Sequence, residues 1–229
     1  PQVARAAAAA GIGVVLLNSS ADYIAELRRR SHVPAFSITS NHEEIGRIQG
    51  QQLGALLPAG GIVLYIQGPP DSSAAKQRYT GMLETKPENV QLRVLKAHWT
   101  EASAHKTVGS FLLLSTSRQV QIEAVCAQDD SMAIGARKAF EECSGVRKEW
   151  QQMAFLGCDG LPKTGQEWVR SKLLTATILI PPNAGQAIEM MVKAISSGTL
   201  PPERTFTVAK SFPTLEVLAQ SARARAAAR

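Results

Sequence analysis

The sequence predicts an α/β fold, with parallel strands and helices on both faces of the sheet. Short apolar, β-branched runs alternate with stretches of helical spacing from one end to the other. That alternation calls for parallel pairing, because each strand needs a crossover before the next one runs the same way. Hydrophobic residues make up 45% of the 229 residues and charged residues 19%, which supports a sizeable core and excludes wholesale disorder. No run of about 18 apolar residues occurs, so a membrane-spanning helix is excluded and no direct membrane insertion is expected.

The elements follow in order. Residues 1–10 read as a helix, with Pro1 in the first turn and alanines behind it. Residues 11–17 (GIGVVLL) are a buried strand, and 21–30 a short polar helix. Residues 35–39 (AFSIT) are a second strand. Ile45, Ile48, Leu53 and Leu56, with Glu43 and Glu44 in the first turn, predict a helix over 42–57. Then come a strand at 61–67, a helix at 72–83 and a strand at 90–97. The spacing predicts a helix over 101–117, with Val108, Phe111, Leu112 and Leu114 inward. A strand at 122–128 and a helix at 130–143, carrying Met132, Ile134, Ala136 and Phe140, come next. A strand at 153–158, a short helix at 161–171 and a strand at 174–180 lead to a helix at 183–196, with Ile188, Met191, Val192 and Ile195 inward. A last strand at 205–210 and a short apolar stretch at 215–218 complete the pattern. The strands between 59 and 180 suffice for a whole doubly wound unit, whereas those before residue 40 need further partners. A fold rarely starts inside a helix, so N-terminal elements are expected to precede Pro1.

The net charge is +6, from 25 Lys and Arg against 19 Asp and Glu, a balance that raises nucleic acid as a partner. The distribution points away from it. Arg28, Arg29 and Arg30 close a helix, where cations suit the dipole. Arg223, Arg225 and Arg229 belong to an Ala/Arg tail over 221–229 that reads as a frayed end. No basic stripe interleaved with aromatics appears, so no nucleic-acid partner is expected for this segment. Neither a metal nor a cofactor is expected. The three Cys form no C-x-x-C pair, and His32, His42, His98 and His105 lack metal spacing. Cys126 and Cys158 read as buried small hydrophobes. Gly11-x-Gly13 opens a strand rather than following one, so it is no dinucleotide fingerprint, and neither a Walker loop nor a G-x-S-x-G elbow occurs.

Open parallel sheets bind ligands beyond the carboxyl ends of their strands. The chain has five Asp, and Asp71, Asp129, Asp130 and Asp159 all follow predicted strands. Helix capping is the plain reading of such residues, and it is favoured for Asp71 and Asp130. Asp129 and Asp159 share their loops with another capping candidate or a Gly, which leaves them freer to face a ligand. Trp99, also past a strand end, is either a half-buried packing residue or a flat platform for a sugar ring. Carboxylates beside such a platform accept hydrogen bonds from hydroxyls, and charge-assisted bonds are the stronger kind. No nucleophile–base pair is visible, so an enzyme is not expected.

QGPPDSSAAKQR (67–78), AQDDSMAIGA (127–136), FLGCDG (155–160) and TATILIPPNAG (175–185) resemble, in order and spacing, the ribose-type periplasmic sugar-binding proteins. The resemblance runs from the Ala-rich helix to about Leu218. It implies the type I periplasmic-binding-protein fold: two Rossmann-like lobes with parallel sheets, joined by three crossovers, closing on a ligand between them. The crossovers would fall near Ser40–Asn41, Ile180–Pro181 and Lys210–Phe212. Residues 1–40 plus 181–210 would form an incomplete N-terminal lobe, lacking roughly the family's first third, and 41–180 plus 211–220 the C-terminal lobe.

The resemblance also implies a ligand-binding set: Asn18, Ser40, Lys76, Trp99, Asp129, Asp159 and Asn183. Asn18 stands where the family usually has Asp, and Ser19 where Arg often follows. Ser40 fits a polar position at the first crossover. Lys76 replaces a ligand-binding Arg, keeping the charge without the bidentate fork, and Arg78 matches an Arg read as structural. Trp99 matches the aromatic stacking position, Asp129 the Asn or Asp after the AQ pair, and Asp159 the Asp of G-F-D-G, with Cys158 in place of Phe. Ile180 stands where Gln is common, and Asn183 is the nearest amide that substitutes. These departures point away from ribose, toward another neutral sugar or polyol, or toward an anionic substrate held by Lys76. The expected function is that of a non-enzymatic, periplasmic solute-binding protein of an ABC-type sugar transport system. It would deliver a small-molecule sugar or polyol to the membrane permease, although no signal peptide stands in this chain. The alternative is the effector-binding core of a lactose-repressor-type transcription regulator.

Overall fold

The computed structural model describes residues 1–19, 21–114, 120–143, 150 and 153–227. In chain order its elements are α1 (Gln2–Ala9), β1 (Val14–Leu17), α2 (Tyr23–Arg30), β2 (Ala35–Ser40), α3 (His42–Leu56), β3 (Gly61–Gln67), α4 (Ser73–Thr85), β4 (Val90–Lys96) and α5 (Glu101–Leu113). There follow β5 (Ile122–Ala127), α6 (Asp130–Cys143), β6 (Ala154–Leu156), α7 (Gly165–Arg170), β7 (Thr177–Leu179), α8 (Asn183–Ser197), β8 (Arg204–Thr207), β9 (Lys210–Phe212) and α9 (Leu215–Ala227). The chain divides into two compact units, one of Pro1–Asn41 and Pro181–Val208, the other of His42–Ile180 and Ala209–Arg229.

The first unit is a parallel sheet in the order β1-β2-β8, with β2 central. Its core gathers Ala8, Val14, Ile24, Leu27 and Ala35. Arg28 ties the two chain segments of this unit together, its Nη1 donating to Ala35 O at 3.1 Å and to Pro201 O at 2.8 Å. The strand expected over 11–17 starts only at Val14, because Gly11, at φ +77°, turns the chain out of α1. Of the inward face expected for α8 only Met191 is half-buried, against Gly13. Ile188, Val192 and Ile195 are 65%, 59% and 66% exposed, and α8 buries Asn183, Ala187 and Ala194 instead. The small residues let the helix lie against β1 and β2, and no described element covers its opposite, apolar face.

The second unit has a parallel sheet in the order β4-β3-β5-β6. Single parallel bridges, Leu156 to Ala176 and Asp159 to Leu179, carry it on to β7. The expected last strand proves to be two. β8 pairs parallel with β2 in the first unit, while β9 pairs antiparallel with β7 in the second, so the sheets are not parallel throughout. Ala209 and Lys210 therefore fall in the second unit and Asn41 in the first. One apolar layer lies on each face: Leu64, Ile66, Val108, Met132 and Phe140 among others on one, Leu53, Val63, Tyr65, Met82 and Leu218 on the other. α5 ends at Leu113, Leu114 is exposed, and residues 115–117 of the expected helix lie outside the described residues. The Ala/Arg tail is helical to Ala227, because good helix formers continue α9 beyond the anchoring Leu215 and Leu218. Cys126 and Cys158 are fully buried.

Candidate functional site

The strand ends of the second unit open on a pocket of about 260 Å³, lined by Ser72, Ala74, Arg78, Trp99, Asp129 and Asp159. Ser72, Ala74 and Arg78 come from the start of α4, Trp99 from the β4–α5 turn, Asp129 from the start of α6 and Asp159 from the loop after β6, as expected at the carboxyl edge of a parallel sheet. Ser72 ends the β3–α4 loop and caps α4, its Oγ accepting from Ala75 N at 3.3 Å. Asp71, expected to cap α4, is exposed and makes no such bond, because the helix starts one residue later.

Arg78 is set by the packing of α4. Ala75, Arg78 and Met82 share the buried stripe of that helix, while Lys76, about 100° round from Ala75, is exposed. α3 and α4 approach closely because Gly46 and Gly81 lack side chains: a Cβ would stand 2.0 Å from Arg78 O and 1.9 Å from Glu43 O, respectively. That contact lays the guanidinium beside His42, the first residue of α3. Arg78 Nε donates to His42 Nδ1 at 3.4 Å, Nη1 donates to Gln128 O, and Nη2 stands 3.8 Å from Asp159 Oδ1. Burial, and then the Arg78 charge, push the His42 imidazole down to about 4. It therefore stays neutral and its Nδ1 can accept.

Gln128 knits the loops beneath the pocket. Its Nε2 donates to Tyr65 Oη and to Ala75 O, each at 2.9 Å, and its Oε1 accepts from Gly68 N at 2.9 Å. Tyr65 Oη donates in turn to Gln49 Oε1 at 3.0 Å, and Gln49 Nε2 donates to Ala127 O at 2.9 Å. A buried network with its donors and acceptors matched is rigid, so the helix that carries Arg78 and the loop that carries Asp129 hold one arrangement.

Trp99 occupies the β4–α5 turn at φ +31°. Its indole lies 5.6 Å from Arg78 Cζ, in cation–π range. The ring seats against Gly68, where a Cβ would meet Trp99 Cη2 and Cζ2 at 2.4 Å. Trp99 thus lies against a glycine and a guanidinium, half-buried, on the pocket lining.

The three carboxylates have separate tasks. Asp129, not Asp130, caps α6: Asp129 Oδ1 accepts from Met132 N at 2.9 Å. A cap precedes the first helical residue, and α6 starts at Asp130. Asp130 is buried and bridges two loops, Oδ2 accepting from Gly160 N at 2.8 Å and Oδ1 from Thr177 Oγ1 at 2.6 Å. Desolvation raises all three. It pushes Asp130 up to about 6 against its hydrogen bonds, and Asp159 up to about 7 against the pull of Arg78, with Asp129 and Asp130 adding to the rise. Asp129 is raised as well, opposed by the backbone N–H groups of Met132 and Ser131. The Asp159 carboxyl accepts no hydrogen bond among the described residues; it has only the Arg78 ion pair.

The pocket therefore joins Trp99, Asp129 and Asp159 with Arg78. It does not include Lys76, whose charge points to solvent. Arg78, which the sequence marked as structural, both holds the loops and lines the pocket; its place on the buried stripe three residues after Ala75 was the available signal. Asn18, Ser40 and Asn183 belong to the first unit. There Asn183 Nδ2 donates to Asn18 Oδ1 at 2.7 Å and to Ile38 O at 3.2 Å, and Thr207 Oγ1 donates to Ser40 Oγ at 3.4 Å. Asn18 sits at φ +56°, a conformation that Asn tolerates better than most residues.

An aromatic face, two acceptor carboxylates and one buried cation suit reversible binding of a compact, hydroxyl-rich molecule. Comparison with known proteins agrees with the architecture. No curated protein matches the sequence significantly. Among solved structures, a periplasmic solute-binding protein of an ABC transporter from Actinobacillus succinogenes, with bound D-allose, is 22% identical at a TM-score of 0.74, over 94% of this chain and 74% of that one. The periplasmic binding component of an arabinose ABC transporter from a Shewanella species, bound to L-arabinofuranose, is 22% identical at 0.71, over 99% and 74%. A Caulobacter myo-inositol binding protein, bound to myo-inositol, is 17% identical at 0.71, over 96% and 71%. These likenesses show the type I periplasmic-binding-protein fold. The model of the periplasmic binding protein domain matches residues 2–199, and by that match the chain belongs to the periplasmic binding protein family.

Proposed function

We propose that this chain is a solute-binding protein that takes up a sugar or related polyol at the Trp99 pocket of its second unit and passes it to the membrane permease of an ABC transporter in the periplasm. The observation that carries the reading is the pocket itself: an indole lying beside Arg78, with Asp129 and Asp159 on the same lining. Indole faces take the C–H side of a sugar ring. Asp159 and the uncapped oxygen of Asp129 are acceptors that match hydroxyl donors. Arg78 is engaged by Gln128, His42 and Asp159, and the lining carries two carboxylates, so an anionic solute is disfavoured. The action is binding and release without turnover. D-Allose, L-arabinose and myo-inositol, the ligands of the related folds, are the first to test by isothermal titration calorimetry at pH 8. Binding of one of them that Trp99→Ala weakens by about 1–3 kcal/mol supports the pocket. Equal affinity in wild type and variant removes it as the site.

A further inference from the structure

We infer that Gln166 is a positioning residue of the pocket: with Asp130 it grips Gly160 by both polar backbone groups, and so holds Asp159 in a backbone conformation that favours glycine, with its carboxylate on the lining. Its value to a ligand rests on the sugar reading of the pocket; the strain itself does not. The backbone supplies the first observation. Asp159 sits at φ +117° and Gly160 at φ +60°. The left-handed well that Asp tolerates lies at φ of about +50 to +70°. Gly160 occupies that well, and Asp159 lies far outside it. A residue held there persists only where its surroundings over-determine its conformation.

Those surroundings are complete. Asp159 N donates to Ile178 O and Ile180 N donates to Asp159 O, each at 3.1 Å. Gly160 N donates to Asp130 Oδ2 at 2.8 Å, and Gln166 Nε2 donates to Gly160 O at 2.9 Å. All four polar backbone groups of the pair are thus bonded, two by β7 and the residue after it and two by side chains. Asp130 is fixed in turn by Thr177 Oγ1. Gln166 is half-buried on α7, and its Oε1 accepts from Arg170 Nη2 at 3.2 Å, which turns Nε2 toward Gly160. α7 comes this close because Gly165 lacks a side chain: a Cβ there would stand 2.9 Å from Gly160 Cα. A glycine at position 159 would accept the same backbone bonds without strain. What the aspartate adds is a carboxylate, which lines the pocket and stands 3.8 Å from the Arg78 guanidinium. That ion pair is long and the Asp159 side chain is 40% exposed, so it is a weak source of stability. The carboxylate therefore serves the pocket, and Gln166 and Asp130 hold the strain that puts it there.

The test uses the full chain and begins without ligand. Thermal unfolding compares Asp159→Ala with Asp159→Gly, two variants that lose the carboxylate alike. At an ordinary position the alanine variant is the more stable, since glycine has more backbone entropy to lose. Here Asp159→Gly should melt at least about 2 °C above Asp159→Ala. An equal or lower melting temperature means that position 159 is unstrained and overturns the inference. Gln166→Met, close in length but unable to donate, then tests the positioning role. The three-bond coupling between the amide and α protons of Asp159 reads φ directly by NMR, and it should change in this variant. Isothermal titration calorimetry at pH 8 with D-allose, L-arabinose and myo-inositol should show the sugar that wild type takes bound about fivefold more weakly. An unchanged coupling, or unchanged affinity, overturns the positioning role and leaves the sugar reading standing. Absence of binding by all three sugars in the wild type removes the sugar reading, while the melting order and the coupling still decide whether Gln166 holds Asp159.

Discussion

Replacing Asp130 with Asn should change how the stability of this protein depends on pH. Asp130 is 4% exposed and its carboxyl is pushed up from 3.8 to about 6, chiefly by desolvation. A carboxyl whose folded-state pKa is raised binds its proton more tightly when folded. Its contribution is fully present below the unfolded value near 3.8 and is lost as pH rises through about 6. A rise of about two pKa units at 1.36 kcal/mol each comes to about 3 kcal/mol in full, and a little under half of it accrues between pH 5 and 8. Asn is close to isosteric, which matters because Gly157 and Gly165 crowd the carboxyl so tightly that a Cβ on either would stand 2.2 or 2.0 Å from its oxygens. The amide oxygen can still accept from Gly160 N, and the amide NH₂ can donate to Thr177 Oγ1, so both bridges survive without the charge. Urea unfolding of wild type and Asp130→Asn at pH 5, 6.5 and 8 checks this. The variant should gain on the wild type by about 1–2 kcal/mol from pH 5 to pH 8, whatever its offset at pH 5. Parallel stabilities across that range would refute the reasoning, because Asp130 would then carry an ordinary carboxylate pKa.

Three further substitutions test the seat of Trp99 and the cap of α6. Gly68→Ala places a methyl where the Trp99 ring lies, so it should displace the indole, shift its fluorescence and weaken sugar binding at least fivefold while leaving far-UV circular dichroism unchanged; an unmoved emission spectrum would show that the ring is not seated there. Asp129→Ala removes the α6 cap and should lower stability by about 1 kcal/mol in urea unfolding, in addition to weakening the ligand, whereas Asp71→Ala, at an exposed position without a capping bond, should lower it by less than about 0.5 kcal/mol.

Much of the fold could be read from local chemistry. The alternation of β-branched runs with helical spacing located the elements of the second unit from α3 to β7 to within a few residues, because a strand buried on both faces must be apolar along its length, but it missed β9 and α9. The pocket was half legible. Strand ends identified the region, and Trp99, Asp129 and Asp159 lie in it. The error over Lys76 arose from matching a charge to a motif without turning the helix: counting from Ser72 puts Arg78 on the buried stripe and Lys76 outside it. The same count, applied to the start of α6, makes Asp129 the cap and releases Asp130 for its bridge.

What sequence alone determined is therefore the fold class, the order of its elements and the loops that hold polar groups, since these follow from periodicity and from where backbone donors need caps. Only the tertiary structure decided which polar groups meet. Arg78 joins Asp159 and Trp99 because two glycines let α3 and α4 touch, and Gln128 locks the loops because Tyr65, Ala75 and Gly68 converge on it from separate elements. The exposed apolar face of α8 belongs to the same class: helical spacing marks the face, but what lies beside a helix is set by contacts between residues far apart in the chain.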